Sequence, residues 1–200
     1  MKELPNPTFA LPPVDMPRGS LHQSCDAIIP APITAAARPA VGKISVGWAR
    51  HQDEVRQAQR LRYQVFALEM GAILPATVAG HDIDRFDDFC EHLLVRDAAS
   101  QEVIGTYRVL MPTQAARAGS TYSDGEFDLS RLHHLRPRMV ELGRSCVHAD
   151  FRHGGVILAL WGALAEFMAR NQLDTMMGCA SIPMQHDGVS SAHAAASIWT

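Results

Sequence analysis

The stretch from residue 139 to residue 182 constrains the fold more than any other. "MVELGRSCV" reads as a strand, "HADFRHGG" as a turn, residues 156–171 as an apolar helix and "TMMGCASI" as a second strand. Strand, turn, helix and strand make a βαβ unit, whose helical crossover joins parallel neighbours. The expected class is therefore α/β, with a mixed central sheet flanked by helices. The first of these strands carries Glu141 and Arg144 through an apolar run. A buried carboxylate or guanidinium without a partner costs several kcal/mol, so something must pair with them.

The remaining pattern fits around that unit. "KISVGWA" alternates Ile44, Val46 and Trp48 as a half-buried strand does. Val55, Ala58, Leu61, Val65 and Leu68 recur at helical spacing over about 51–70. After the acidic "GHDIDRFDDFC" come "EHLLVRD" and "EVIGTYRVLMP", a hairpin joined by "AASQ". "SRLHHLR" reads as a short helix with Ser130 as its N-cap. Most of the twelve prolines fall before residue 40, which marks 1–40 as a flexible Pro/Ala-rich extension and 41–200 as the folded domain. There are no internal repeats.

Composition narrows the function classes. At 200 residues, 47% hydrophobic and 20% charged, the chain can bury one substantial core. A net charge of −3 and the lack of a Lys/Arg stripe argue against nucleic-acid binding. Four scattered cysteines without a CxxC pair suit a reducing, cytoplasmic setting. The start lacks the apolar core of a signal peptide. The run at 156–169 contains Glu166 and is too short for roughly 30 Å of hydrocarbon. Peripheral contact with the inner face of a membrane remains compatible with this reading.

Several constellations could carry chemistry. Arg152, Gly154 and Gly155 stand where a turn opens a helix, a place at which free N–H groups and the helix dipole favour anions; a plain flexible turn reads the same way. Neither a P-loop nor a Rossmann glycine pattern is present. Glu141 and Arg144, three apart, face opposite sides of a strand unless a bulge at Gly143 turns one of them. Glu141 could serve as a general base, or both could join Arg108, Asp84 or Asp87 in a structural ion network. Asp82, Asp84, Asp87 and Asp88 lack the glycine and terminal Glu of a calcium loop. Cys90 and His92 share a face, and Cys146 lies near His148 and His153, but neither set completes a zinc site, so no metal is expected. Cys146 and Cys179 read most simply as small apolar core residues.

Taken in order, "LRYQVFALEMGA", "GHDIDRFDDFCEHLLVRD", "EVIGTYRVLMP", "TYSDGEFDLS", "MVELGRSCVHADFRHGGVILALWGALAEF" and "MGCASIPM" resemble the L-ornithine Nα-acyltransferase family of the GNAT superfamily, the enzymes that make lyso-ornithine lipid. The likeness covers about 43–188. A sparser pattern, Arg62 with Val65 and Phe66, then Asp82, Asp84 and Asp87, then Arg108, then Glu141 and Arg144, also resembles the acyl-homoserine-lactone synthases. A synthase of that kind, using S-adenosylmethionine, is the alternative enzyme. The segment after Phe66, "ALEMGAI", lacks the tryptophan expected for it.

The resemblance implies a GNAT-like acyltransferase fold, in which the strand carrying Glu141 splays from the one carrying Cys179 and an acyl thioester lies in the gap. It implies a 3-hydroxyacyl chain on acyl carrier protein as donor and the α-amine of ornithine, or another amino acid, as nucleophile, with no further cofactor. Glu141 would accept the proton, with Arg144 beside it as part of the catalytic strand, and backbone N–H groups near Cys146 and Val147 would polarise the thioester oxygen. Arg62, Phe66, Asp84, Asp87 and Arg108 would form the acceptor site. Arg152, His153, Gly154, Gly155 and Val156 would hold the phosphopantetheine arm. The superfamily's R/Q-x-x-G-x-G/A turn is met here by Arg152 and Gly155 followed by Ile157, a poorer fit to free coenzyme A and so a pointer to a carrier-protein donor. Thr200 falls inside what reads as the helix after the last strand, and no tyrosine follows Tyr122. The expectation is a chain truncated at its C-terminus, and an inactive fragment that binds acyl carrier protein is the non-catalytic alternative.

Overall fold

The computed structural model describes residues 43–74, 78–152 and 154–180, together with the backbone pairing of 185–186 with 189–190. The extension 1–40, His153 and the helix expected before Thr200 lie outside the described residues.

Five strands form a mixed sheet in sequential order: β1 (Ile44–Trp48), β2 (Glu91–Asp97), β3 (Val103–Leu110), β4 (Met139–Val147) and β5 (Thr175–Met177). The first four pair antiparallel, and β4 with β5 is parallel, as a helical crossover requires. A two-stranded pairing, β6 (Gln185–His186) with β7 (Val189–Ser190), stands apart from it. Among the described residues three α-helices accompany the sheet: α1 (Gln52–Tyr63), α2 (Pro112–Ala118) and α3 (Gly155–Arg170).

Alternation along the strands sends two chemically different sets of side chains to the two faces. Leu93, Val95, Tyr107, Val109, Val140, Leu142 and Val147 meet α3, which offers Val156, Leu160, Leu164, Phe167 and Met168 from one stripe. Each such side chain contributes about 1.5–3 kcal/mol when fully buried, so this face carries most of the stability. The opposite face turns His92, Thr106, Arg108, Glu141 and Cys146 toward α1.

The structure departs from the sequence reading in several places, each with a cause. The helix expected to run to residue 70 changes at Gln64 to a π-helical turn, Gln64–Glu69, in which Met70 N–H reaches back to the Val65 carbonyl at 3.0 Å. The extra residue per turn rotates the face, burying Phe66 and leaving Leu68 69% exposed. Helix α2 was not expected; Pro112 opens it and Gly119, at φ +82°, closes it. Over Ser130–Arg138 the chain forms a 3₁₀ helix, and Asp128 rather than Ser130 supplies the capping oxygen, accepting from Ser130 N–H at 3.0 Å. The final strand stops at Met177, well short of Ile182. The bulge falls at Arg144, in the left-handed region at φ +51°, not at Gly143. Among the described residues no helix is long and apolar enough to cross a membrane.

Candidate active site

The α1 face of the sheet combines a small apolar cluster, Leu61, Val65, Phe66 and Cys146, with a buried network of charges. Arg62 and Asp82 are each 1% exposed, and Asp87 and Arg108 are nearly as deep. Arg62 donates from Nε to Asp82 at 3.0 Å and from Nη2 to both Asp87 oxygens at 2.9 and 2.8 Å. Arg108 Nη1 reaches Asp84 at 2.6 Å and Asp87 at 3.2 Å. Gln59 also donates to Asp87, at 3.2 Å, and Phe86 N–H closes a tight turn onto Asp84 at 2.8 Å. The acidic segment is thus folded around arginines from α1 and β3.

Arg144 joins that network because of the bulge. Between the Arg108–Gly143 and Thr106–Cys146 pairs, β4 has two residues opposite the single Tyr107. Ser145 takes the tyrosine side, where it bonds Tyr107, and Arg144 is turned to the α1 face. Its guanidinium lies 3.6 Å from Asp82, 3.5 Å from Asp84 and over the Phe66 ring. Asp84 and Arg144 are the members of the network that keep partial exposure. Burial alone would raise the pKa of Asp87, but the charge and hydrogen bonds of Arg62, with Arg108, hold it well below the usual carboxylate range. For Asp84, too, burial is outweighed, here by Arg108. Burial works the other way on His92, lowering its pKa, and its Nε2–H donates to the Asp87 carbonyl at 3.1 Å. Asp82 Oδ1 and Asp84 Oδ2 are buried oxygens without a hydrogen-bond partner among the described residues.

Glu141 is separate from this network. It is 7% exposed and accepts from Tyr122 N–H at 2.8 Å, Ser123 N–H at 2.7 Å and the Ser123 hydroxyl at 2.6 Å. Both partners lie in the segment "TYSDGEFDLS", but nothing in the sequence tied them to Glu141, since the loop has no periodicity and Ser123 is 18 residues away along the chain. Cys179, expected in the core, is half-buried and stands 3.3 Å from the Ser123 hydroxyl. Tyr122 is pushed up to about 12 by burial and by Glu126.

Strands β4 and β5 pair only from Met139–Glu141 to Thr175–Met177. Gly178 still passes so close to the Leu142 carbonyl that a Cβ there would lie 2.5 Å from the oxygen; the register has ended at Met177, so among the described residues the second half of β4 has no strand paired on that side. His148 N–H bonds the Ile104 carbonyl at 2.8 Å, so alternation directs the Cys146 N–H to β3 and the Val147 N–H to that unpaired side. The two residues expected to act together are therefore split, and Cys146 is a buried thiol pushed up to about 12.

Next along the chain, Gly154 at φ +91° precedes Gly155 and Val156, the first residues of α3. Arg152 does not stand open to an anion: its guanidinium grips both Glu69 oxygens and Nε donates to the Val147 carbonyl at 3.1 Å. Among the described residues no three or more His, Cys, Asp or Glu side chains gather to hold a metal ion.

Residues 61–162 match the family model described as an acetyltransferase (GNAT) domain. The chain belongs to the GNAT family. Among curated relatives, this GNAT chain is similar to the L-ornithine N(alpha)-acyltransferase of Brucella abortus (strain 2308), 40% identical over 163 residues, covering 77% of this chain and 57% of the relative. A protein of that name from Rhodobacter capsulatus is 40% identical over 142 residues, covering 66% of this chain and 54% of the relative. The chain spans little more than half the length of these curated relatives. Among solved structures, a CoA-dependent acyl-homoserine lactone synthase, BjaI, aligns with a TM-score of 0.49 at 24% identity, over 64% of this chain and 59% of that one. An acetyltransferase of the GNAT family from Staphylococcus aureus Mu50 aligns at 0.46 and 12% identity, over 78% and 82%.

Proposed function

We propose that this GNAT domain transfers a 3-hydroxyacyl chain from the thioester of acyl carrier protein to the α-amine of ornithine, forming lyso-ornithine lipid. The observation that carries the reading is the place of Glu141, a nearly buried carboxylate on β4 where β4 and β5 part. The amine would attack the thioester carbonyl in that gap, and Glu141 would take the proton from the acceptor nitrogen. Val147 N–H would polarise the carbonyl oxygen as it gains charge.

Asp84 and Arg144 have partial exposure and opposite charge, which suits an acceptor bearing an ammonium and a carboxylate. Arg62, Asp82, Asp87 and Arg108 pair with one another and would act by ordering the acidic segment beneath them. The phosphopantetheine arm would run along the Gly154–Val156 backbone, with Arg152 available once Glu69 releases it. The similarity to relatives named L-ornithine N(alpha)-acyltransferase supports ornithine as acceptor. A cytoplasmic enzyme working beside the membrane that receives its product fits the same reading.

Mass spectrometry of the products tests it, after incubation of the folded chain with 3-hydroxyacyl-carrier protein and competing amines: ornithine, other amino acids and S-adenosylmethionine. An ornithine amide is expected. A lactone, or no product from folded protein, would overturn the assignment.

A further inference from the structure

The contacts of Glu141 raise a chemical question. Its Oε1 accepts from Ser123 N–H and from the Ser123 hydroxyl, and its Oε2 accepts from Tyr122 N–H. Two of these three donors are backbone amides, which hold a carboxylate in place but cannot pass a proton on. The hydroxyl can, since it loses one proton as it gains another. Its single hydrogen lies on the 2.6 Å bond to Glu141, so in the 3.3 Å contact with Cys179 the thiol must be the donor. The hydroxyl oxygen has two lone pairs. One receives the thiol, and the other would meet the acceptor nitrogen, which must enter beside a side chain only 2% exposed.

Cys179 lies two residues beyond Met177, the β5 residue that pairs with Glu141, and alternation puts it on the same face as Glu141. Burial, with Glu141 and Glu126, raises its pKa against the effect of Ser123, which keeps it a thiol at neutral pH. A thiol is closely matched in acidity to a departing thiolate. Nothing in the packing asks for a serine between a glutamate and a cysteine, because the backbone amides alone would anchor the loop.

We propose that Cys179, Ser123 and Glu141 form a single proton relay across the β4–β5 gap, in which Ser123 carries a proton from the acceptor nitrogen to Glu141 and Cys179 protonates the leaving thiolate. The inference rests on the transferase reading above. The acceptor reacts as the free amine, having lost its ammonium proton to solvent. The N–C bond forms, and the adduct nitrogen gives a proton to the Ser123 oxygen as Ser123 gives its own to Glu141. The C–S bond breaks, and the electron pair leaves on sulfur, which takes the Cys179 proton. The proton on Glu141 then returns through Ser123 to the Cys179 thiolate. One amine and one thioester have become one amide and one thiol, and the three side chains are as they began.

The test varies the leaving group. Wild type, Ser123→Ala, Cys179→Ala and Cys179→Ser are assayed in the full chain with ornithine and two donors bearing the same 3-hydroxyacyl group, an N-acetylcysteamine thioester and an S-phenyl thioester, whose thiolate departs without help. Ser123→Ala keeps both backbone donors to Glu141 and should lower kcat on the order of 100-fold with either donor. Cys179→Ala should lower kcat about tenfold or more with the alkyl donor and little with the phenyl donor, with KM unchanged; Cys179→Ser should fall between. An active wild type with the same Cys179→Ala loss for both donors, or with unchanged Ser123→Ala turnover, would overturn the relay while leaving the transferase intact. No amide from the wild type with either donor or with 3-hydroxyacyl-carrier protein would overturn the transferase reading itself.

Discussion

The two faces of one sheet are built on opposite principles. Toward α3, the strands present Leu93, Val95, Val109, Val140 and Leu142 to a helix stripe of the same chemistry, and any of these can be shaved or swapped at a graded cost. Toward α1, the alternate residues of the same strands set His92, Arg108 and Glu141 among Leu94, Ile104 and Leu110, and each of the three polar ones is tolerable only because a particular partner meets it. The difference teaches where specificity was placed. Hydrocarbon holds the sheet together, while the charged face is fixed in geometry by pairs that cannot be exchanged singly.

The sharpest way to break this contrast is to remove one member of the network. Arg62→Met leaves Asp82 and Asp87 buried without their main counter-charge and should cost about 3–5 kcal/mol in urea unfolding. A loss under about 1 kcal/mol would mean that the network is not structural. On the other face, Leu164→Ala should cost about 2–5 kcal/mol while leaving the charged face, and hence KM for the acceptor, unaltered.

The pH dependence should separate the faces without any mutation. Burial lowers the folded pKa of His92, so its contribution is complete above the unfolded value near 6.5 and declines as pH falls below it. Asp84 and Asp87 are held below their ordinary values, so what they contribute is present above about pH 4 and lost as pH falls through their folded pKa values. Unfolding midpoints should therefore decline gently from pH 6.5 and steeply below 4. Leu164→Ala should shift that curve without changing its shape, and Arg62→Met should flatten its acid limb.

Two glycines give the smallest and most local contrast. A Cβ at Gly105 would lie 2.5 Å from a Val156 methyl, so Gly105→Ala overpacks the α3 face, should cost about 1–3 kcal/mol and, through Val156, should raise KM for the donor with kcat little changed. At Gly178 the obstacle is the Leu142 carbonyl, backbone that cannot rotate aside. Gly178→Ala should widen the mouth of the gap and lower kcat by more than the midpoint shift explains. Equal effects at the two sites would erase the distinction.

The apolar face was the legible one. Strand alternation and the 3.6-residue stripe at 156–168 led directly to the hairpin, the βαβ unit and the parallel β4–β5 pair. What escaped was whatever depends on a departure from regular period. The π-helical turn moved Leu68 out and Phe66 in, and the bulge rotated Arg144 rather than Gly143. The arginines and aspartates could be picked out by type, but sequence could not say that Asp87 would be enclosed by Arg62 and Arg108 while Asp84 kept an opening. Ser123 entered only as part of "TYSDGEFDLS", with no role attached, since a serine in an irregular loop becomes meaningful only when the fold brings it to Glu141.

The most direct measurement is the turnover of Glu141→Gln beside wild type, with ornithine amide read by mass spectrometry and thermal midpoints measured on the same samples. The glutamine keeps an oxygen for one of the two backbone donors, turns its NH2 toward the other, and cannot take the proton. The account predicts amide from the wild type, a midpoint shifted by only a few degrees in the variant, and turnover lower by about 10²–10⁴. Equal turnover in the two folded proteins would contradict it and remove Glu141 from the chemistry of the gap.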